Sequence, residues 1–281
     1  MGKKQLISKS LTTISNMGAW LLIIVIILIM SIVRPDTFLT AANLINVPRQ
    51  VAVVSIIALG ASFVVLGGEI DLSTGMASTF AGCNAALMVT RMGMNTYAAI
   101  LVAVLVGSII GTLTGCIVTY LKIPAFIGSL GVQYVIQGLI LITTNSMPIN
   151  GLPENFLFLG RGYLADVIPV PVVIMAILFV IGAVLLRYTT FGRSVIAVGE
   201  NQEAAKLSGL NVNRTKVLIF TIGGFCAALA GVVQAARLSS GQPGSGADLA
   251  LQALQSIRTL HSSGRTSPMS SSWWSMTARV R

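Results

Sequence analysis

Two carboxylates, Glu69 and Asp71, stand in the stretch GGEIDLSTG between two long apolar runs. Ionisable side chains at membrane depth are costly, so they are usually buried in a helix bundle, line a wet cavity or lie at the interface. Gly67, Gly68 and Gly75 would allow a helix to break here, and Asp71 or Ser73 would cap the next helix. The stretch is therefore either a polar cap at a short cytoplasmic turn or part of a translocation pathway built on discontinuous helices.

Other groups that carry out catalysis are scarce in the chain. Cys83, Cys116 and Cys226 lie in separate apolar segments without a paired spacing, which favours a packing role over a metal site or a disulfide framework. The single histidine, His261, lies near the C-terminus, and no G-x-x-x-x-G-K-[ST] phosphate loop is present. The sequence therefore predicts no metal site, no cofactor and no enzyme.

Composition indicates that these residues belong to a membrane protein. Of 281 residues, 54% are hydrophobic and 9% are charged, whereas a soluble domain has about 25% charged residues. The net charge of +10 is spread among apolar runs, which argues against a nucleic-acid-binding face. Because about 20 apolar helical residues cross a bilayer core, we expect an all-α polytopic transmembrane helix bundle with about seven spans, near residues 17–33, 47–66, 72–90, 96–121, 124–144, 167–187 and 217–236.

Basic residues predict the orientation of this bundle. Lys3, Lys4 and Lys9 precede the first span, and the segment 187–216 contains five basic and two acidic residues. Since basic residues are enriched in cytoplasmic segments, both regions are expected in the cytoplasm, and the even number of spans between them agrees. An uncleaved first span fits better than a signal peptide, because no cleavage site follows it.

Small residues at helical spacing predict close contacts between helices. Two spans carry such a face, and small side chains let helix backbones approach each other. The residues are Gly107, Gly111 and Gly115 in one span and Gly223, Ala227 and Gly231 in the last.

A second stretch, TTFGRSVIAVGENQEAAKLSGLNVNRTK, lies within the basic segment 187–216. Glu203, Ala204 and Ala205 begin a run of helix formers. Asn201 is placed to cap this run, and Gly209 is placed to stop it. One or two helical turns bury too little apolar area for firm binding to lipid. We therefore expect a short helix that docks into a soluble partner.

The two stretches together resemble the membrane permease subunits of bacterial ATP-binding-cassette (ABC) sugar importers of the ribose, xylose, galactose and autoinducer-2 type, in the branched-chain-permease-like superfamily. The resemblance runs from about Asn16 to Asp248. It implies a multi-pass inner-membrane permease, with a cytoplasmic N-terminus, that moves a monosaccharide or a related polyol-like solute by alternating access. The implied partners are cytoplasmic ATPase subunits, a periplasmic sugar-binding protein and a second permease copy or paralogue.

The resemblance also implies roles for particular residues. EAAKLSG resembles the E-A-A-x-x-x-G pattern of the cytoplasmic coupling helix in importer permeases, which fits a cleft on the ATPase. The implied coupling residues are Gly199, Asn201, Glu203, Ala204, Ala205 and Gly209. The implied pathway or helix-break residues are Gly68, Glu69, Asp71, Ser73 and Gly75. Two departures from many relatives are the acids at Glu69 and Glu200, and no substrate-binding residue is assigned.

The C-terminal part departs further from the resemblance. Residues 1–248 form the predicted permease domain, with the coupling loop at 187–216, and residues 249–281 form an atypical tail. The end of the tail holds seven serines, Trp273, Trp274 and no acid. These features predict a frame-shifted or truncated reading that lacks the C-terminal spans and leaves the transporter inactive. A genuine divergent tail at the membrane interface is the alternative.

An ion-coupled secondary carrier for a small polar solute is the alternative function. Such a carrier supplies its own coupling acids and often contains an internal repeat. Only Glu69 and Asp71 qualify, and no repeat is evident. Further polar residues in or near the spans are expected to join helices by hydrogen bonds rather than to bind solute. They are Asn84, Gln133, Gln137 and Asn145.

Overall fold

The computed structural model describes residues 22, 24–165, 167–246, 249 and 251–255. The chain divides into two compact units, residues 1–50 and 51–281. In the first unit, α1 covers Ile24–Val33, and α2 covers Pro35–Phe38. Proline suits the first position of α2, because the N–H that it lacks would have no partner within the helix. α3 covers Ala41–Leu66, on both sides of the boundary.

The second unit is almost entirely helical in its described part. A two-stranded antiparallel sheet pairs β1 (Tyr163–Leu164) with β2 (Ile168–Pro169). An isolated bridge joins Ile149 to Gly241. The helices that follow α3 are α4 (Thr74–Thr90), α5 (Thr96–Tyr120), α6 (Ala125–Thr144), α7 (Glu154–Arg161), α8 (Val170–Tyr188), α9 (Thr190–Glu200), α10 (Gln202–Leu207) and α11 (Val212–Leu238).

Five helices in the described part of the chain are long and apolar enough to cross a membrane: Asn43–Leu66, Thr96–Tyr120, Ala125–Thr144, Val170–Tyr188 and Val212–Leu238. They confirm the all-α polytopic membrane bundle, with fewer full-length spans than the seven expected.

Of the two remaining predicted spans, the first lies partly outside the described residues, and its described part contains the apolar helix Ile24–Val33. The other is α4, which has 17 residues and is therefore about 25 Å long. It begins at Thr74 because the chain before it, from Glu69 to Ser73, is not helical. Most of the first three turns of α4 are buried against other helices, so this helix does not need to match the lipid thickness.

α11 lies at the centre of the second unit and packs closely against α5. A Cβ atom built on Gly107 would overlap the side chain of Ala228, and one built on Gly111 would lie 3.0 Å from the Cα atom of Gly224. The predicted glycine face of α5 is therefore confirmed as a helix contact. Its partner on α11 is the face of Gly224 and Ala228, whereas Gly231, on the face predicted from the sequence, packs against α4.

Candidate functional site

The linker 67–73 separates α3 from α4, and a glycine turn makes the break. Gly68 has a φ of +82°, which glycine adopts without steric cost. Its N–H donates to the carbonyl oxygen of Val65 (3.0 Å), and the N–H of Glu69 donates to that of Val64 (3.1 Å). This pair of bonds is a Schellman motif, which satisfies carbonyl groups at a helix end. The structure thus places the helix break at Gly68, with no strain on the backbone.

The acid in the linker is buried at the start of α4. Asp71 is 2% exposed, and its Oδ1 accepts hydrogen bonds from the backbone N–H (2.8 Å) and the hydroxyl (2.6 Å) of Ser73. Of the two candidate caps, Asp71 therefore accepts the backbone bond, while the Ser73 side chain makes no cap bond to α4. Burial raises the pKa of the Asp71 carboxyl above its ordinary value, and the bonds from Ser73 partly oppose that rise.

Two neighbouring groups complete this part of the site. The N–H of Leu72 donates to Ser129 Oγ in α6 at 3.1 Å, which ties the linker to that helix. Gly75, expected at the helix break, lies instead in the first turn of α4, where its carbonyl oxygen accepts a bond from Ser78 Oγ (2.8 Å). Gly75 therefore serves the packing of α4 and does not form the break.

The other acid of the linker forms an ion pair with α11. Glu69 Oε1 lies 2.5 Å from Lys216 Nζ, and both side chains are 13% exposed. Lys216 stands in the first turns of α11 (Val212–Leu238). Glu69 thus has a specific partner in the structure. Sequence reasoning missed Lys216 as a site residue, because nothing local to it signals a partner 147 positions earlier.

The two sequence stretches also meet directly, through backbone contact. A Cβ atom on Gly199, in α9, would overlap the carbonyl oxygen of Leu66 at the end of α3. It would lie 3.3 Å from the carbonyl carbon of Gly67, and a Cβ on Gly68 would lie 3.4 Å from the Cα of Gly199. The predicted coupling segment and the predicted helix-break segment therefore form one site at the same end of the bundle.

Local hydrogen bonds shape α10, the predicted coupling helix. Asn201 Oδ1 accepts hydrogen bonds from the N–H groups of Glu203 and Ala204, each at 3.0 Å, which is an N-cap. At the other end Gly209 has a φ of +82°, and its N–H donates to the carbonyl of Lys206. The N–H of the next residue donates to the carbonyl of Ala205 at 3.1 Å. This is the same Schellman motif that ends α3.

α10 presents nearly all of its side chains outward. Ala205 is 3% exposed and anchors the helix. The remaining residues of α10 are exposed, including Glu203, Ala204 and Lys206. Leu207 is 90% exposed, the highest value among the exposed large apolar side chains in the described part. An apolar side chain held outward at the end of a capped helix suits docking into an apolar cleft.

The remaining predictions from the sequence concern hydrogen bonds between helices and metal binding. Asn84 Nδ2 donates to the carbonyl oxygen of Phe80 in its own helix (2.8 Å), not to another helix. One polar bond that does join two helices pairs Thr112 of α5 with Thr221 of α11, at 2.9 Å between their hydroxyl oxygens. Within the described ranges, no three His, Cys, Asp or Glu side chains come close enough to hold a metal ion.

Several expectations fall on residues outside the described ranges. They concern the orientation signal of Lys3, Lys4 and Lys9, and the tail with His261, Trp273 and Trp274.

Comparisons with known proteins place the chain among transport proteins. The family described as "Branched-chain amino acid transport system / permease component" matches residues 43–257. The chain is 38% identical over 243 residues to the ribose import permease protein RbsC of Haemophilus influenzae, covering 85% of this chain and 74% of that protein. It is 37% identical over 250 residues to RbsC of Escherichia coli K12, covering 85% of this chain and 77% of that protein.

A further relative is named for another pentose. The chain is 29% identical over 302 residues to the xylose transport system permease protein XylH of Haemophilus influenzae, covering 85% of this chain and 80% of that protein. No solved structure matches the chain.

Proposed function

The chain belongs to the family of membrane permease subunits of ABC sugar importers, and on this premise we propose that it forms the inner-membrane permease of an importer for a monosaccharide or a related polyol-like solute. It is a multi-pass membrane protein and a transporter subunit, not an enzyme. In this proposal ATP is hydrolysed by partner subunits in the cytoplasm, and a periplasmic sugar-binding protein delivers the solute to the permease, which acts with a second permease copy or paralogue. The names of the relatives, ribose and xylose permeases, support the solute class.

The direct contact between the two sequence motifs is the observation that carries the coupling mechanism. In this proposal the N-terminus and the coupling loop 187–216 lie in the cytoplasm, and α10 docks into the ATPase. The exposed Leu207 is the apolar anchor, and Glu203 and Lys206 flank it. The cap at Asn201 and the turn at Gly209 keep the helix rigid, so a displacement of α10 moves its flanking segments rather than unwinding it.

The linker 67–73 then transmits this displacement into the bundle. Gly199 contacts the end of α3 with no side chain between the backbones, so α9 cannot approach α3 without pushing it. Lys216 holds Glu69 at the start of α11. The linker is further tied to α6 through Leu72. A displacement of α10 therefore moves α3, α6 and α11 together. Alternating access requires such a rigid-body motion of one group of helices against another.

Binding of the ATPase by matched variants tests the proposal. The detergent-solubilised chain is mixed with candidate ATPase subunits from the same genome, as wild type, Leu207→Asp and Leu121→Asp. Leu121 is the matched control, because it is 64% exposed and follows α5 at the same end of the bundle in the proposed orientation. Burying a leucine contributes about 1.5–3 kcal/mol, so Leu207→Asp should weaken binding at least about tenfold.

The outcomes separate the parts of the proposal. Loss of binding in Leu207→Asp alone supports both the permease assignment and the docking surface. Equal binding by all three proteins would show that α10 is not the docking helix. Failure of the wild type to capture any ATPase would contradict the importer function itself.

An ion-coupled carrier is the second candidate, and one observation favours it. Oδ2 of Asp71 is buried and has no hydrogen-bond partner among the described residues, which is a position where a proton could bind. The other acid, Glu69, is already paired with Lys216. Solute uptake into lipid vesicles decides between the two candidates, because a carrier requires a proton or sodium gradient and an importer requires the ATPase with ATP.

A further inference from the structure

Among the five long apolar helices of the described part, α8 is the least covered by protein. Only 11% of the residues in its apolar window are buried, against 28–61% in the other four. Its exposed side chains include Phe179, Val180 and Val184, so most of α8 faces lipid. The 19 residues of α8 span about 28 Å, close to the roughly 30 Å of a hydrocarbon core. Its last turn therefore lies where the acyl chains meet the headgroups.

Two side chains in that last turn suit the headgroup layer. The guanidinium carbon of Arg187 lies 5.8 Å from the centroid of the Tyr188 ring, which is a cation–π distance. Tyr188 is 70% exposed, and Arg187 is exposed as well. Tyrosine is enriched at membrane–water interfaces. An arginine at the end of a span extends its charge into the headgroups while its apolar stem stays beside the acyl chains.

A sharp turn brings a second arginine to the same place. The Thr189 hydroxyl accepts a hydrogen bond from the N–H of Gly192 at 3.1 Å, which caps α9. A Cβ atom on Gly192 would overlap the carbonyl oxygen of Leu186, so the first turn of α9 lies directly against the last turn of α8. Arg193 follows Gly192 and Arg187 follows Leu186. The Cα atoms of the two arginines therefore lie within about 10 Å of each other.

The segment around this turn carries only positive charge. Arg193 is exposed, and neither it nor Arg187 makes an ion pair with a carboxylate in the described part of the chain. The first acid after them is Glu200, which lies about 10 Å further along α9 than Arg193. Two cations without a protein counter-ion, placed at the level of the headgroups, match an anion that belongs to the membrane.

We propose that Arg187, Tyr188 and Arg193 form a headgroup site for an anionic phospholipid. The two guanidinium groups bind the phosphate through charge-assisted hydrogen bonds, and the acyl chains lie along the exposed side of α8. A lipid is favoured over a soluble phosphate, because the arginines stand at the end of a surface that lipid covers. The site goes beyond transport of the solute, and its place in the cytoplasmic leaflet rests on the proposed orientation.

A bound lipid would hold the start of the coupling segment at the membrane surface. α9 begins at this turn, contacts the end of α3 through Gly199 and is followed by Asn201, the cap of α10. The headgroup site therefore fixes one end of α9, while the other end lies between α10 and the bundle. Coupling should consequently depend on the charge of the surrounding lipid.

Thermal unfolding with added lipid tests the headgroup site. The purified full chain in a neutral detergent is titrated with a phosphatidylglycerol, with a phosphatidylcholine that has the same acyl chains, and with inorganic phosphate. The proteins are the wild type, Arg187→Gln, Arg193→Gln and the double variant. Arg91→Gln is the matched control, because Arg91 is exposed after α4, at the opposite end of the bundle. The measured quantity is the phosphatidylglycerol concentration that gives half of the rise in Tm.

Phosphatidylglycerol should raise the Tm of the wild type, whereas phosphatidylcholine and inorganic phosphate should have little effect. A basic residue beside an anionic membrane contributes about fivefold in affinity, or about 1 kcal/mol. Each single variant should therefore raise the half-maximal concentration about fivefold, the double variant should raise it further, and Arg91→Gln should match the wild type. Arg187→Lys should restore most of the affinity, because it keeps the charge. A merely structural role for the arginines would lower the Tm without lipid and leave the half-maximal concentration unchanged.

Several results would overturn the headgroup site. No stabilisation by phosphatidylglycerol, or an unchanged half-maximal concentration in the double variant, would show that these arginines do not bind the lipid. Equal stabilisation by phosphatidylcholine would indicate contact with acyl chains only, and equal stabilisation by inorganic phosphate would indicate a soluble ligand. Arginine variants that lose ATPase binding or change the oligomeric state, with an unchanged lipid dependence, would assign this surface to a protein partner.

ATPase binding by the same preparations separates this site from the proposed function. A wild type that is stabilised by phosphatidylglycerol but captures no ATPase would keep the headgroup site and contradict the importer. A wild type that captures the ATPase without any stabilisation by phosphatidylglycerol would keep the importer and contradict the headgroup site.

Discussion

Gly199→Ala is the most direct test of the contact between the two motifs. The new Cβ would overlap the carbonyl oxygen of Leu66 and crowd the backbone of Gly67. Both obstacles are backbone atoms, which cannot rotate away as the end of a side chain can. The helices must therefore move apart at the position where the coupling segment contacts the end of α3.

The expected cost follows from two opposing effects. Forcing extra volume into a packed contact costs about 1–3 kcal/mol, and the severity of this overlap places it at the upper end. Alanine in place of glycine within a helix returns about 1 kcal/mol, since Gly199 lies in α9. The net loss is about 2 kcal/mol, which corresponds to a fall of about 4–8 °C in the apparent Tm.

Gly138→Ala provides the matched control. Gly138 lies in α6 and has no atom within 4 Å of an added Cβ. The same substitution there removes glycine from a helix without creating an overlap, so its Tm should be unchanged or slightly higher. Thermal unfolding of the purified proteins in one detergent is followed by the loss of the monodisperse species. A Gly199→Ala protein as stable as the Gly138→Ala protein would refute the contact and, with it, the coupling route through the linker.

Three further changes probe the same site. In a double-mutant cycle, Glu69→Gln and Lys216→Met should couple by about 1–3 kcal/mol, because the partly buried pair lies between surface and fully buried pairs; additive effects on unfolding would show no net attraction. Gly209→Ala should cost about 1–2 kcal/mol through its φ of +82°, and Gly209→Asn less; equal Tm values would exclude the left-handed turn. For Asp71, whose pKa is raised by burial, stability is lost as pH rises from the ordinary pKa toward the folded one. Asp71→Asn should therefore gain on the wild type in Tm as the pH rises above about 4, the ordinary pKa of an aspartate, and a constant difference would show no such shift.

The sequence predicted features that depend on neighbouring residues. The helix of α10 illustrates this, because its cap at Asn201 and its stop at Gly209 use hydrogen bonds that reach two to five residues along the chain. The apolar helices were predictable for a similar reason, since each satisfies its backbone groups within itself in lipid. The glycine spacing of α5 also indicated a helix contact, because one helix alone determines which residues share a face.

The tertiary structure decided which of these local features meet. Glu69 and Lys216, or Gly68 and Gly199, are separated by more than a hundred positions, so no local pattern could pair them. The same holds for residues 239–246, which follow α11 and contact α4 through Gly241 and Gly246, because their path depends on packing rather than on helix propensity. The length of α4 was also decided this way, because its buried position removes the need to match the bilayer. Local hydrogen bonds are thus encoded in neighbouring residues, whereas contacts between distant segments depend on how all the helices pack together.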